Sequence, residues 1–206
     1  MSDMDVSGST LHDKVEELIS AGDGPFSVVV ADIDNFEQIN KMHGGTIGDQ
    51  VIKKITNILK QNLADSDMIC KRGDEFSILL AKKGAERSFM EIEEIRKYLS
   101  DNTFNLSDGI KTKNVYITMS FGIASYPRDA KNCIELFRVA DSAMFRAKKL
   151  GKNKICLSEI ESMVLKSSYF TKTQIDRLSE LSKEMDRTEA FLLREALDDL
   201  FKKYSK

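Results

Sequence analysis

The chain has 206 residues, of which 41% are hydrophobic and 31% charged, a balance typical of a globular protein rather than a disordered one. Its formal net charge of -2 excludes a global basic field, so any contact with nucleic acid would need a local basic surface. Three separated cysteines, with no CxxC pair, argue against a disulfide or zinc framework and favour a reducing cytoplasm. Without an N-terminal apolar segment or a run of about 18 apolar residues, we expect neither secretion nor membrane spanning.

The first third of the chain predicts one helix, one buried strand and two further helices. Residues 12–20 carry apolar side chains at helical spacing, and a segment with glycine and proline, 21–25, ends that helix. Residues 26–33 are a continuous, valine-rich apolar run of strand length, which is typical of a buried central strand. Of the two helical stretches that follow, the stronger covers residues 48–63 and has one apolar stripe.

The next part of the chain predicts a hairpin, two helices and two more strands. The hairpin strands, 67–71 and 75–80, are joined across Arg72, Gly73 and Asp74. The remaining predicted elements are a helix over 86–100, a strand over 114–124, a helix over 133–149 and a short strand over 154–157. Strands that mix hairpins with helical crossovers predict an α/β sandwich, in the order βααββαβαβ, with a mixed central sheet.

The pattern changes after Ser158, where a short strand near 165–170 and two helices follow. We therefore place a boundary near residue 160, which gives a domain over 1–160 and a C-terminal module over 161–206. Neither part contains an internal repeat or a low-complexity segment.

Two acidic segments fall at the ends of predicted strands. Asp32 ends the first strand, and Asp74 and Glu75 lie at the hairpin turn. If these strands are adjacent, Asp32 and Asp74 lie close together, and two such carboxylates repel unless a cation lies between them. Hard oxygen ligands beside a glycine turn suit Mg²⁺ and substrate phosphates, which predicts metal-assisted phosphoryl or nucleotidyl transfer. The plain alternative is that these are solvated acidic residues at strand ends.

Four ordered motifs resemble the GGDEF family of diguanylate cyclases. The segment ADIDNFEQINKMHGGTIGDQVIKKI resembles D-x-D-x-F-K-x-x-N-D followed by G-H-x-x-G-D, and RGDEF resembles the GGDEF signature. YITMSFGIASYP resembles V-T-x-S-x-G-x-A, and ADSAMFRAKKLGKNKI resembles the closing A-D-x-A-x-Y-x-A-K-x-x-G-R-N. The resemblance spans residues 26–157 and implies the nucleotidyl-cyclase-like fold of that family.

The resemblance implies a metal site and two catalytic residues. Asp32 and Asp74 match the metal-binding carboxylates of the family, with the carbonyl of Ile33 as a further ligand. Glu75 matches the acidic residue that the family needs beside the metal. The implied cofactor is Mg²⁺ or Mn²⁺, and the implied catalytic residues are Asp74 and Glu75.

The resemblance also implies a nucleotide site. Asn40 and Asp49 match the guanine-reading residues, and an amide and a carboxylate together can satisfy the guanine edge. Lys148 and Lys152 match the basic residues that hold the triphosphate. Gly73 lies in the turn where phosphates can approach the backbone.

The implied activity is the joining of two GTP molecules into cyclic di-GMP, with each monomer of a homodimer presenting one GTP. The metal would polarise the α-phosphate and promote deprotonation of the attacking 3′-hydroxyl. The alternative is a DNA-binding regulator whose cyclase fold binds GTP or a cyclic dinucleotide without turnover.

Three departures from the family pattern bear on that activity. Arg72 before Gly73 can be taken as a glycine replaced by arginine or as one glycine deleted, and a deletion would shorten the hairpin. Glu37 stands where lysine is usual and adds negative charge near the expected phosphates. The R-x-x-D of the inhibitory product site is absent, because Asp67 has no arginine three residues before it. We therefore do not expect feedback inhibition through that site.

Residues 163–204 resemble the ribbon-helix-helix module of small bacterial repressors and antitoxins. Thr171 follows the short strand as an N-cap, with Gln174 three residues on, which predicts a capping box. Two amphipathic helices come next. One copy of so short a unit cannot bury its apolar surface alone, so we expect two copies to pair through an antiparallel ribbon.

In that family the ribbon enters the major groove of operator DNA. Alternation along the strand would direct Ser167 and Tyr169 to the bases, and the backbone amides from Thr188 onward would hold a phosphate. Residues 160–206 carry nine basic and nine acidic residues, which weakens this interpretation because non-specific affinity depends on neutralising phosphates. Two interpretations stay open, a module that binds DNA and a module that only dimerises.

Overall fold

The structure is a computed structural model that describes residues 5–109, 111–158, 169–184 and 189–204. The chain divides into two units, Met1–Ile160 and Glu161–Lys206. Within the described ranges, no helix is long and apolar enough to cross a membrane.

The larger unit is built on a mixed sheet. Its strands, in chain order, are β1 (Asp5–Val6), β2 (Phe26–Ile33), β3 (Met68–Arg72), β4 (Glu75–Leu80), β5 (Thr103–Ser107), β6 (Thr112–Tyr116), β7 (Met119–Tyr126) and β8 (Ile155–Leu157). Six of them form one sheet in the order β1-β3-β4-β2-β7-β8, and β5 and β6 form a separate hairpin. In the large sheet β2 is antiparallel to β4 and β7, whereas β8 is parallel to β7 and β1 to β3. The prediction of an α/β fold with a mixed central sheet is confirmed.

Helices cover both faces of this sheet. They are α1 (Gly8–Ala21), α2 (Phe36–His43), α3 (Gly45–Asn62), α4 (Ala85–Asp101) and α5 (Cys133–Lys149). Ser7 caps α1 and Asn132 caps α5, each with a side-chain oxygen that accepts from a backbone N–H of the first turn. One hydrophobic core lies between the sheet and α2, α3 and α4, and a second lies between the sheet and α1 and α5.

The alternation of side chains along β2 assigns its residues to the two cores. Val29, Ala31 and Ile33 belong to the core under α2, α3 and α4, whereas Val28 and Val30 belong to the core under α1 and α5. Because successive side chains of a strand alternate, Asp32 lies on the same face as Val28 and Val30. The acidic end of β2 therefore faces the helix α5.

Residues 114–124, predicted as one strand, belong to two strands of different sheets. β6 pairs with β5, whereas β7 pairs with β2. The chain changes sheets at Thr118, whose carbonyl accepts a hydrogen bond from the N–H of Asp34 at the end of β2. Alternation of apolar residues continues across this break, and for that reason the sequence pattern predicted a single strand.

The helix α5 crosses β7 at very short range over Gly122. A Cβ atom at that position would lie 2.8 Å from the backbone carbon of Ala143, and closer still to backbone atoms of Ala140 and Met144. Backbone atoms cannot rotate away as a side chain can, so any side chain here would push α5 off the sheet. The absence of a side chain at Gly122 therefore determines how closely α5, the helix that carries Lys148, packs against the sheet.

The smaller unit contains α6 (Lys172–Glu184) and α7 (Glu189–Tyr204). The predicted capping box at the start of α6 is confirmed, because Gln174 Oε1 accepts from the N–H of Thr171 at 2.9 Å and Thr171 Oγ1 accepts from the N–H of Gln174 at 3.3 Å. Most of the predicted ribbon strand lies outside the described residues. Ser167 and Thr188 also lie outside them, whereas Tyr169 is described and fully exposed.

Candidate nucleotide and metal site

The turn of the β3–β4 hairpin contains two residues rather than the predicted three. Arg72 is the last residue of β3 and pairs with Glu75, so the turn consists of Gly73 and Asp74 alone. Gly73 adopts a φ of 64°, a left-handed conformation that glycine reaches without steric cost. The N–H of Ile33 donates to the carbonyl of Asp74 at 3.3 Å, which ties the turn to the end of β2.

Asp32 lies near two other carboxylates, those of Asp34 and Asp74. It pairs in register with Glu75, so their side chains project from the same face of the sheet. Its Oδ2 atom lies 2.7 Å from Nζ of Lys148 in the last turn of α5. Burial raises the pKa of Asp32, the ammonium of Lys148 lowers it, and the charges of Asp74 and Asp34 raise it further. The net effect is a raised pKa, because burial and the neighbouring negative charges outweigh the ion pair with Lys148.

Asp34, two residues after Asp32, is a structural carboxylate. It is buried, and its oxygens accept from Ser120 Oγ at 2.7 Å, from Thr118 Oγ1 at 2.9 Å and from the N–H of Asn153 at 2.8 Å. These bonds join the end of β2 to β7 and to the segment after α5. Sequence reasoning gave this residue no role, although the D-x-D spacing of Asp32 and Asp34 was visible.

The donor set at the end of β2 fits a Mg²⁺ ion. Asp32 and Asp74 supply carboxylates, and the carbonyl of Ile33 faces the turn because the N–H and C=O of a strand residue point to the same neighbouring strand. Within the described ranges, no three acidic, histidine or cysteine side chains gather into a group that could hold a metal by themselves. Mg²⁺ does not need such a cage, because it usually takes one or two carboxylates and completes its shell with water and substrate phosphates.

Both predicted phosphate-binding lysines reach the same end of β2. Lys148 contacts Asp32, and Lys152 donates from Nζ to Oδ1 of Asn35, the residue that precedes α2. Lys152 and Asn153 have positive φ angles of 62° and 46°, which turn the chain back toward the sheet after α5. The C-terminal end of a helix favours cations, and Lys148 lies in the last turn of α5.

The predicted guanine readers lie on α2 and α3, on the other face of the sheet. Oδ1 of Asn40 is buried and has no hydrogen-bond partner. Asp49 is exposed and lines a cleft of about 520 Å³ between α3 and the hairpin, together with Ile52, Lys71 and Gly73. A cleft of this size is large enough for a nucleotide-sized ligand. The turn with Gly73 and Asp74 connects this cleft to the acidic end of β2.

Two departures from the family motifs, at Glu37 and around Asp67, can be located in the structure. Glu37 is exposed and pairs with Lys41 at 2.6 Å, so its negative charge is partly offset. Asp67 is buried, and its oxygens accept from Lys83 Nζ at 2.6 Å and from the N–H groups of Ala64 and Ala81. Both of its oxygens are engaged within the fold, so Asp67 has a structural role in this chain.

The sequence is similar to two known protein families. Residues 9–154 match the family model described as diguanylate cyclase, GGDEF domain, and residues 166–205 match that of the ribbon-helix-helix domain. The probable diguanylate cyclase DgcT of Escherichia coli is 34% identical over 68% of this chain and 31% of its own length. Diguanylate cyclase A of Treponema denticola is 30% identical over 65% of this chain and 35% of its own length. The chain thus spans about a third of these curated relatives.

A solved structure gives the same result for the fold. The GGDEF domain of PA1120 (YfiN or TpbB) from Pseudomonas aeruginosa superposes with a TM-score of 0.70 at 25% identity. The match covers 78% of this chain and the whole of that domain.

Proposed function

The chain belongs to the GGDEF family of diguanylate cyclases, and from that premise we propose that it condenses two GTP molecules into cyclic di-GMP. The observation that carries this proposal is the end of β2, where Asp32, Asp74 and Lys148 meet beside a glycine turn. Two carboxylates and a lysine at one site are what a metal-bound triphosphate requires.

In this proposal the two faces of the sheet hold different parts of one GTP. Asn40 and Asp49 bind the guanine, because the carbonyl oxygen of the amide and the carboxylate accept from its N1–H and amino group. Lys148 and Lys152 hold the triphosphate at the end of α5. The hairpin turn lies between them, and the left-handed Gly73 leaves its backbone open to the phosphates.

The chemistry needs a divalent cation, Mg²⁺ or Mn²⁺, for which Asp32, Asp74 and the carbonyl of Ile33 are the proposed ligands. When bound, the cation polarises the α-phosphate and lowers the pKa of the 3′-hydroxyl that attacks it. Glu75 lies in register with Asp32 on the same face, where its carboxylate can accept a proton or bind a hydrated cation.

The decisive experiment is turnover. Purified full-length protein with GTP and Mg²⁺ should yield cyclic di-GMP and pyrophosphate, two pyrophosphates per cyclic dinucleotide, as identified by chromatography and mass spectrometry. ATP should yield no cyclic product, because its base has no donor for Asp49 at the position of the guanine N1–H. Binding of GTP by calorimetry without any product would contradict the enzyme.

That outcome would favour the second candidate function, a DNA-binding regulator that senses GTP or a cyclic dinucleotide. The match of residues 166–205 to the ribbon-helix-helix domain favours it, as does Glu37 in place of a lysine. In that case the tail would contact operator DNA through the ribbon, with Ser167, Tyr169 and the amides from Thr188 as the proposed contacts.

The ion pair between Lys148 and Asp32 leads to a separate prediction. An ammonium 2.7 Å from Asp32 competes with a metal ion for that carboxylate. Lys148→Gln should therefore raise the affinity of the nucleotide-free protein for Mn²⁺ on the order of tenfold, the scale of a charge-assisted hydrogen bond. The same variant should bind GTP more weakly, because a phosphate contact is lost.

Electron paramagnetic resonance of free Mn²⁺ measures the first effect and calorimetry the second. Lys149→Gln is the matched control, because Lys149 is the next residue of α5 and lies over the ring of Phe145 instead. Equal Mn²⁺ affinity in the wild type and Lys148→Gln would show that Lys148 does not compete with the metal.

A further inference from the structure

We propose that Gly48 is a positioning residue that determines base specificity, because its lack of a side chain holds the Asn40 amide in the orientation that binds guanine. The proposal rests on the proposed function, in which Asn40 binds that base. It assigns a role to a residue that contacts no substrate itself.

The helices α2 and α3 meet at a very short connection. Gly44 separates them, with a φ of 89°, and its N–H donates to the carbonyl of Asn40 at 2.9 Å. On the other side, the N–H of Gly48 donates to the carbonyl of Gly44 at 3.2 Å. The first turn of α3 is thereby held directly against the last turn of α2, which carries Asn40.

No side chain fits at position 48. A Cβ atom there would lie 2.9 Å from Cγ of Asn40, closer still to Oδ1 of Asn40, and 3.3 Å from Cζ of Phe36. Two of these atoms belong to the amide proposed to bind guanine. A methyl group at position 48 must therefore displace that amide or separate the two helices.

The displaced atom is one that needs a ligand. Oδ1 of Asn40 is buried and accepts no hydrogen bond in the protein. Buried acceptors are nearly always paired, so Oδ1 of Asn40 is an acceptor that the protein leaves unpaired and that a ligand donor at this amide would satisfy. Guanine presents an N1–H and an amino group along its pairing edge, whereas adenine presents the unprotonated N1 at the corresponding position. A site with an orphan acceptor discriminates between these bases, because the wrong base leaves it unpaired.

A double-mutant cycle tests the proposal. With Mg²⁺ and a non-hydrolysable GTP analogue, Gly48→Ala should lower the affinity roughly tenfold, about as much as Asn40→Ala does. In the Asn40→Ala background Gly48→Ala should cost little further, because the two closest atoms in its way are gone and only Cζ of Phe36 remains, at 3.3 Å and at the end of a side chain that can shift. The affinity for the corresponding ATP analogue should stay unchanged in all three variants, which a general loss of structure would not produce.

The chain offers a matched control in the same helical turn. A Cβ atom at Gly45 would meet nothing within 4 Å, so Gly45→Ala should bind the GTP analogue as the wild type does. Thermal unfolding followed by circular dichroism accompanies each variant. If Gly48→Ala alone is too unstable to bind nucleotide, the Asn40→Ala, Gly48→Ala double variant should regain the melting temperature of Asn40→Ala.

Three results would overturn the proposal, each in a recognisable way. Equal losses from Gly48→Ala with and without Asn40 would mean that Gly48 acts on the nucleotide or the fold directly. A double variant that stays less stable than Asn40→Ala would place the clash elsewhere. Unchanged GTP affinity in Asn40→Ala would instead refute the guanine assignment of the proposed function, and with it the reason for the role of Gly48.

Discussion

Asp74→Ala should reduce metal-dependent GTP binding by at least about a hundredfold, the upper range seen when a residue that merely supports a metal ligand is removed. Asp74 occupies a two-residue turn that is tied to Ile33, and its charge already acts on the pKa of Asp32. Mg²⁺ usually takes one or two protein carboxylates, so the loss of one removes much of its protein coordination. The triphosphate is lost with it, because metal and phosphates bind together.

Calorimetry with GTP and Mg²⁺ measures this effect, and Asp32→Asn should reproduce it. Asp141→Asn serves as the control, because Asp141 is an exposed carboxylate on the outer surface of α5. If Asp74→Ala binds GTP with the wild-type affinity, the metal site does not lie at the hairpin turn and the proposed ligand set is wrong.

Removal of residues 161–206 should convert the protein to a monomer at micromolar concentration and reduce product formation. The helices of the smaller unit carry apolar side chains that one copy leaves uncovered, with exposures between 37% and 51%: Ile175, Leu181, Leu193, Leu197 and Leu200. A second copy that covers this surface would remove it from water, at about 25 cal/mol per Å². In the proposed reaction each cyclase unit presents one GTP, so the truncated protein should show a rate that is second order in protein.

Sedimentation and GTP turnover on the two proteins test this prediction. A point variant that keeps the full length, Leu197→Gln, should weaken the dimer in the same direction. Lys183→Gln, an exposed polar position on α6, should not. A truncated protein that remains dimeric and equally active would mean that the tail serves DNA alone and that the cyclase unit supplies its own contact.

The sequence by itself determined the elements whose hydrophobic pattern or capping residues can be recognised within one short segment. The apolar run 26–33 predicted β2 with the bounds that the structure gives, and the helical spacing of 133–149 did the same for α5. The capping box of Thr171 and Gln174 was also visible, because its partners are three residues apart. Helix periodicity and capping follow from backbone geometry within one or two turns, so the local sequence suffices for them.

Tertiary pairing decided the elements that the sequence analysis missed or merged. β5 has only five residues, in which buried Phe104 and Leu106 alternate with exposed polar residues, and it pairs with β6. The same pairing divides 114–124 between two sheets, although the alternation of apolar residues is continuous. Whether such a segment forms a strand, and in which sheet, depends on the strand that pairs with it. For β7 that partner is β2, which comes from a distant part of the chain and is brought alongside only when the intervening chain closes into a loop.

In the candidate site, too, some features were visible in the sequence and others depend on the tertiary structure. The motifs identified Asp32, Asp74 and Lys148, but nothing local shows that Lys148 is the cation that neutralises Asp32. Asp34 gains its structural role from donors 84 to 119 residues away. The clash that reserves position 48 for glycine arises only where α2 and α3 pack together. Residue type and spacing determine which chemistry a chain can perform, whereas burial, charge pairing and steric room exist only once distant segments are in contact.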